Sequence, residues 1–90
     1  MKIQGKNSVS PAFTVSEYEI NARRLLCPMP VIRTQDAIAN YVAGDRVRVF
    51  GTDPGMKQDI PAWCRINGHT VLDMIDHDDD IEIIIEVGND

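Results

Sequence analysis

Cys27 lies directly before a proline in the stretch LLCPMPVIRT, and a second proline follows two residues later. The spacing favours a helix with Cys27 as its N-cap and Pro28 as its first residue, because proline fits the first turn, where backbone N–H groups have no intrahelical partner. Pro28 and Pro30 then form a rigid mount, and the N–H groups of Met29 and Val31 are left as free donors near the sulfur. Since a helix N-terminus lowers the pKa of a thiol, the motif predicts a reactive thiolate.

Three arginines close to this cysteine in the sequence are candidates for stabilising such a thiolate: Arg23, Arg24 and Arg33. Positive charge near a thiol favours its ionised form. The alternative interpretation of Cys27 is an inert apolar filler, which is the common role of a lone cysteine in a small protein. The prolines and arginines together favour the reactive interpretation.

A second helix is predicted from Asp53 to Asn67, with Asp53 as the N-cap and Pro54 as its first residue. Helices that follow parallel strands begin at the same edge of the sheet. Asp53, Lys57 and Asp59 are therefore expected near Cys27, where Lys57 would help to hold a thiolate. The alternative is capping for Asp53 and ordinary solvation for Lys57 and Asp59.

The apolar periodicity predicts six elements in the order β-α-β-α-β-β. Right-handed strand–helix–strand crossovers predict parallel neighbouring strands, and the last two strands predict a hairpin. The expected fold is an α/β (α+β) two-layer sandwich, a mixed four-stranded sheet with both helices on one face and a charged opposite face. The predicted strands are 15–21, 46–50, 69–75 and 81–87, and the predicted helices are 28–43 and 53–67.

The remaining residues that could do chemistry are given structural roles. Cys64 shares a helix face with Ile60 and Trp63 and is predicted to be core. Neither His69 nor His77 is expected to reach Cys27, and His77 is interpreted as a solvated turn residue. Pro61 predicts a kink or a helix in two parts. The acidic run 76–80 is interpreted as a charged hairpin in preference to a cation site.

The 90 residues are enough for one domain, 15–90, preceded by a flexible leader, 1–14. The net charge of −5 argues against direct, stable binding of nucleic acid. No apolar stretch predicts a membrane span or a signal peptide, so a cytoplasmic location is expected. The two cysteines have no zinc spacing, and we predict no metal and no cofactor.

The segments NARRLLCPMP and GTDPGMKQDIPAWC, with Asn67-Gly68-His69, resemble the TusA/SirA-like sulfur carriers with their Cys-Pro-x-Pro motif. The resemblance extends from Glu19 to Val87. It implies a two-layer sandwich and a sulfurtransferase that carries a persulfide on Cys27. Many family members have Asp at the position of Asn21 and Gly at that of Arg24, and these departures bear on the choice of partner.

The resemblance also implies protein partners: a sulfur donor such as a cysteine desulfurase or rhodanese-like protein, and a downstream acceptor, for example towards 2-thiouridine in tRNA. Relatives that serve sulfur oxidation, molybdenum cofactor assembly or selenium metabolism stay open as alternatives. A different class of function, a non-catalytic regulatory or interaction module in which Cys27 is structural or redox-sensing, is the competing hypothesis. The sulfur carrier predicts alkylation of Cys27 well below pH 8, and the module predicts slow alkylation, since an unperturbed thiol has a pKa of about 8.5.

Overall fold

The computed structural model describes residues 16–88 and contains four strands and two helices within that range. The two-layer α+β fold predicted from the sequence is confirmed. The predicted leader, 1–14, and Val15 lie outside the described residues. The elements are β1 (Glu17–Ala22), α1 (Met29–Ile38), β2 (Arg46–Gly51), α2 (Met56–Asn67), β3 (Thr70–Asp76) and β4 (Ile81–Glu86).

The strands form one mixed sheet in the order β1-β2-β4-β3. β1 and β2 are parallel neighbours, whereas β4 pairs antiparallel with both β2 and β3. The prediction that β2 and β3 would be neighbours is therefore wrong, although the hairpin of β3 and β4 is confirmed. The sequence of β4, IEIIIE, explains its central place, because the apolar strand is covered by neighbours on both sides and the more polar β3 forms the edge.

One hydrophobic core lies between the sheet and the helices. Alternate residues of β1, β2 and β4 point into it, as a strand with one buried face requires. Ile38 of α1 and Met56, Ile60 and Cys64 of α2 belong to the same cluster, which puts both helices on one face of the sheet. Full burial of a side chain such as Ile60 stabilises the fold by about 1.5–3 kcal/mol.

The opposite face of the sheet carries charged residues, as predicted. The Arg48 guanidinium lies 2.9 Å from Glu82 and 3.8 Å from Glu17. Glu82 is only 5% exposed and also contacts His77, whose Nε2 is 2.9 Å from a carboxylate oxygen. The hydrogen bond with His77 lowers the pKa of Glu82, and the contact with Arg48 lowers it to a smaller extent. His77 is exposed in the turn between β3 and β4, as predicted, and its side chain also contacts β4 through Glu82.

Both helices begin later than predicted. Pro28 is the N-cap of α1, and the helix ends at Ile38, well before Ala43. Gly55 is the N-cap of α2, because the Asp53 carboxylate forms a turn by accepting the Gly55 N–H at 3.1 Å. α2 is one helix with Pro61 inside it, which excludes the predicted alternative of two helices. Gly68 ends it in a left-handed conformation, as expected for a terminator.

Among the residues described, the longest helix, α2, has 12 residues, and no helix there is long and apolar enough to cross a membrane.

Candidate functional site

Cys27 lies at the edge of the sheet where β1 and β2 end and both helices begin. The chain reaches the cysteine through the loop after β1, and the loop from Thr52 to Gly55 leads from β2 to α2. This is the carboxyl edge of the parallel strand pair, the place where ligands collect in α/β folds. The topology therefore brings Cys27 and the start of α2 together, as the sequence predicted.

Asp53 ties the two loops to each other. One carboxylate oxygen, Oδ2, accepts the backbone N–H of Cys27 at 2.7 Å, and the other, Oδ1, accepts that of Gly55. A second tie runs from the backbone N–H of Arg24 to the Thr52 hydroxyl, at 2.9 Å. The hydrogen bonds from Cys27 and Gly55 lower the pKa of Asp53. Asp53 is thus an ionised anchor that fixes the backbone on which the thiol is mounted.

The Cys27 side chain is half-buried and is surrounded by negative charge. The Asp53 carboxylate, which accepts the backbone N–H of the same residue, lies close to it. The Cys27 sulfur also lies against Gly55, where an added β-carbon would be 3.2 Å from Sγ. Desolvation, followed by the influence of the Asp59 and Asp53 carboxylates, raises the pKa of the Cys27 thiol to about 12. The prediction of a lowered pKa and a preformed thiolate is wrong, because the thiol is desolvated and the charged groups that act on it are carboxylates.

The backbone N–H groups expected to face the sulfur are already occupied. Met29 donates its N–H to the Leu26 carbonyl at 2.8 Å, and Val31 donates to the Pro28 carbonyl at 3.1 Å. The first turn of α1 is therefore closed on itself. Pro30 is the second residue of the helix and is buried, and the peptide bond between Cys27 and Pro28 is cis. The two prolines do shape the start of the helix. The helix begins at Met29, one residue later than predicted, so Pro28 is its N-cap and Pro30 its second residue.

The cations proposed to stabilise a thiolate have other partners. The Arg23 side chain lies 2.6 Å from Asp80 and over the Phe50 ring. The Arg33 side chain donates to the Asn21 carbonyl at 3.0 Å.

Lys57 also has another partner, and Arg24 is an exposed residue of the loop before Cys27. The Lys57 ammonium pairs with Asp76 of β3, at 2.6 Å. Arg24 is exposed and has a positive φ of 70°, a conformation that glycine adopts more readily. Glycine would adopt this conformation with less strain than arginine does.

Three apolar side chains close to Cys27 in the sequence are exposed, and the sequence analysis did not single them out. Leu26 is 75% exposed, and Met29 and Ile32 are exposed at the start of α1. We call these three residues the apolar patch. The signal was present in the sequence, since Met29 and Ile32 lie off the buried stripe of α1 formed by Pro30, Thr34 and Ile38. Exposed apolar residues grouped around a reactive group are typical of interaction surfaces.

Cys64 is buried, whereas Cys27 is partly exposed. The Cys64 side chain is 1% exposed, belongs to the core cluster, and has its pKa raised to about 11 by burial. Its predicted place in the core is confirmed. Within residues 16–88 no group of three His, Cys, Asp or Glu side chains is arranged to hold a metal ion.

Residues 18–87 match the family model described as "Sulfurtransferase TusA". The chain belongs to the TusA family. YrkI of Bacillus subtilis, named for a sulfur carrier role, is 36% identical over 73 residues, which cover 81% of this chain and 97% of YrkI. The sulfur carrier protein TusA of Pseudomonas putida is 38% identical over 53 residues, covering 59% of this chain and 66% of that protein.

A solved structure shares the fold. The SirA-like protein of Desulfitobacterium hafniense superposes with a TM-score of 0.70 at 28% sequence identity, covering 80% of this chain and 99% of the other. These relatives are named as sulfur carriers, so family membership supports a general role for this chain in the transfer of sulfur.

Proposed function

We propose that this protein is a sulfur carrier that holds sulfur as a persulfide on Cys27 and acts as a sulfurtransferase between proteins. The observation that carries the proposal is a partly exposed thiol, fixed by Asp53 where two helices begin, in a chain of the TusA family. Cys64 is buried in the core and offers no second candidate for the sulfur.

The chemistry is an exchange at divalent sulfur, similar to thiol–disulfide exchange. The Cys27 sulfur attacks the outer sulfur of a donor persulfide, R–S–SH, and forms a new S–S bond. The donor S–S bond breaks, and its electron pair leaves on the donor sulfur, which becomes R–SH when it takes up the proton lost by Cys27. Cys27 then carries –S–SH, and an acceptor thiol removes the outer sulfur in the same way. The exchange needs no external oxidant and no cofactor.

The partners of this proposal are a donor protein, such as a cysteine desulfurase or a rhodanese-like protein, and a downstream acceptor protein. Such a relay operates in the cytoplasm, where thiols are kept reduced. It supplies tRNA 2-thiouridine synthesis or a related sulfur pathway without stable binding of nucleic acid by this chain, whose net charge is −5. The apolar patch beside Cys27 is the proposed docking surface for these proteins.

Loading from a desulfurase tests the proposal. The protein is incubated with a cysteine desulfurase and cysteine, and its intact mass is then measured without reducing agent. We expect the mass of one added sulfur in the wild-type protein and in Cys64→Ala, and none in Cys27→Ala. Equal loading of wild type and Cys27→Ala would refute the proposal.

The apolar patch is tested with Leu26→Asp. A charge at this exposed position is expected to slow loading from the desulfurase, while loading from glutathione persulfide, a small donor, stays unchanged. Ile66→Asp is the matched control, because Ile66 is 82% exposed and lies at the far end of α2. If both variants load from the desulfurase as fast as the wild type, the apolar patch is not the docking surface.

One observation favours the second candidate, a non-catalytic interaction module in which Cys27 is structural or redox-sensing. The raised pKa of Cys27 is what a thiol held for packing and hydrogen bonding would show. This candidate predicts that Cys27→Ala binds its protein partners and supports their activity like the wild type. The sulfur carrier predicts that the same variant still folds and binds but transfers no sulfur.

A further inference from the structure

Two arginines at the edge of the sheet that carries Cys27 have no carboxylate partner within residues 16–88. Arg24 lies in the loop before the cysteine, is exposed, and takes part in no salt bridge in that range. Arg33 of α1 is also exposed, and its guanidinium donates to the neutral Asn21 carbonyl at 3.0 Å, which leaves its charge uncompensated. Both arginines therefore present positive charge to a molecule that approaches this edge.

The backbone of Arg24 is held in a conformation that does not suit an arginine. Its φ of 70° lies in the left-handed region, which is strained for residues with a β-carbon. Its N–H donates to the Thr52 hydroxyl at 2.9 Å, but this is a backbone contact that glycine would make equally well. The hydrogen bond fixes the position of residue 24 and does not account for its side chain. A strained, exposed residue close to a reactive group indicates a role in function.

The apolar patch is bordered by these two arginines. Leu26 follows Arg24 by two residues, so their Cα atoms are at most about 8 Å apart. Ile32 directly precedes Arg33 on α1, and the contact of Arg33 with Asn21 brings its guanidinium to the end of β1, where the loop to the cysteine begins. An apolar centre with a charged rim is the usual anatomy of a protein interface. We call the apolar patch together with Arg24 and Arg33 the docking face.

The carboxylates of the same edge belong to the other side of Cys27. Asp53 lies in the loop before α2, and its two oxygens accept the backbone N–H groups of Cys27 and Gly55. Asp59 is exposed in the first turn of α2. The charge is therefore divided, positive where β1 leads into α1 and negative where α2 begins. A partner that covers the apolar patch meets the positive part.

We propose that the docking face selects sulfur donor proteins in which an apolar contact residue is bordered by carboxylates, and that Arg24 and Arg33 determine this specificity. The inference rests on the proposed function, because it concerns the protein that delivers sulfur to Cys27. The apolar patch supplies the burial of apolar surface, and each guanidinium binds a carboxylate with two parallel hydrogen bonds. Charges at the rim of an interface act mainly on the rate of association and on the choice of partner.

Two model donors that differ only in charge test the proposal. Each is a short peptide with one cysteine between leucines, flanked by glutamates in the acidic peptide and by lysines in the basic one. The peptide cysteine is a mixed disulfide with 2-thiopyridine. The Cys27 sulfur attacks the peptide sulfur, the new S–S bond replaces the old one, and the released 2-thiopyridone is followed by absorbance. The rate of Cys27→Ala is subtracted as the blank.

At low salt the wild type is expected to react faster with the acidic peptide than with the basic one. A pair of unit charges about 8 Å apart in water changes a rate about twofold, and exchanging glutamate for lysine reverses the sign of that effect. Neutralising either arginine should therefore lower the ratio of the two rates by about two- to fivefold. In about 1 M salt the preference should disappear, because the charges are then screened over about 3 Å.

Matched variants separate the charge from a structural role. Arg24→Gln and Arg33→Gln should each lower the ratio, whereas Arg24→Lys keeps the charge and should keep most of it. Arg65→Gln is the control, because Arg65 is an exposed arginine in the last turn of α2, far from the start of that helix. A wild type that reacts equally with both peptides, or faster with the basic one, overturns the proposal. The role of each arginine fails if its own variant behaves like Arg65→Gln.

The outcome is separable from that of the proposed function, because the peptide disulfides contain no persulfide. If Cys27 takes up sulfur from the desulfurase but shows no preference between the peptides, the function stands and the docking inference fails. If the preference is found and depends on Arg24 and Arg33 but no sulfur is loaded, the docking face recognises acidic proteins for another purpose and the persulfide function fails.

Discussion

The structure predicts by how much the thiolate fraction of Cys27 is reduced. The pKa of the Cys27 thiol is raised by about three units, to about 12, by desolvation and by the carboxylates of Asp59 and Asp53. Three pKa units correspond to a thiolate fraction about a thousandfold smaller at neutral pH than that of an ordinary cysteine. At rest the protein therefore presents a protonated thiol, which a soft oxidant or alkylating agent attacks slowly.

The assay is a difference titration. Thiolate absorbs in the ultraviolet, and the curve of Cys27→Ala is subtracted from that of the wild type to remove Cys64 and the tyrosines. We expect no titration of Cys27 below about pH 10, and an earlier transition in Asp59→Asn and in Asp53→Asn. Asp36→Asn should titrate like the wild type. A midpoint at or below about pH 8.5 would refute the reasoning, because the carboxylates would then not govern the sulfur.

The same shift predicts a pH dependence of folding. A thiol whose pKa is higher in the folded than in the unfolded state stabilises the fold below the unfolded pKa, and this stabilisation is lost as the pH rises towards the folded pKa. The free energy of unfolding should therefore fall from about pH 8.5 upwards, and less steeply in Cys27→Ala than in the wild type. Urea titrations at several pH values measure how the free energy of unfolding changes with pH in the wild type and in Cys27→Ala. The same change in both proteins would contradict the raised pKa of Cys27.

Three further outcomes follow from the fold. Ile60→Ala should lower the free energy of unfolding by about 2–5 kcal/mol in a denaturant titration, whereas Ile66→Ala, on the exposed side of α2, should change it by less than about 0.5 kcal/mol. Arg24→Gly should raise it by about 1 kcal/mol, since glycine relieves the left-handed backbone, and an unchanged or lower value would contradict that assignment. Cys64→Ala should destabilise the protein and leave the alkylation rate of Cys27 unchanged, as peptide mass mapping would show.

The elements of the fold could be predicted because their patterns are local. Alternation in Arg46–Gly51 and Ile81–Glu86 marks strands with one buried face, and Gly68 marks the end of α2. The order of the strands could not be predicted in the same way, because it depends on whether β3 or β4 pairs with β2, and no local pattern decides that. β4 lies beside β2 and β3 lies at the edge of the sheet, because the strand with more apolar side chains is stabilised more by burial between two neighbours.

The chemistry of the site was harder to predict than its place. Because Arg23 and Arg33 are close to Cys27 in the sequence, they were predicted to lie near the sulfur. In the structure Arg23 pairs with Asp80, and Arg33 donates to the Asn21 carbonyl. The approach of Asp53 to Cys27 followed from the topology of parallel strands. The direction of the pKa shift of the Cys27 thiol could not be predicted, because it depends first on how far the thiol is desolvated and then on which charged groups act on it.

The most direct test of the central claim, that Cys27 carries sulfur reversibly, is a load-and-discharge measurement by peptide mass. The protein is loaded with sulfur by a desulfurase, freed of donor, digested, and compared with a portion treated with an acceptor thiol. We predict one extra sulfur on the peptide that contains Cys27, lost on treatment, and none on the peptide that contains Cys64. Extra sulfur on the Cys64 peptide, or on neither, would contradict it.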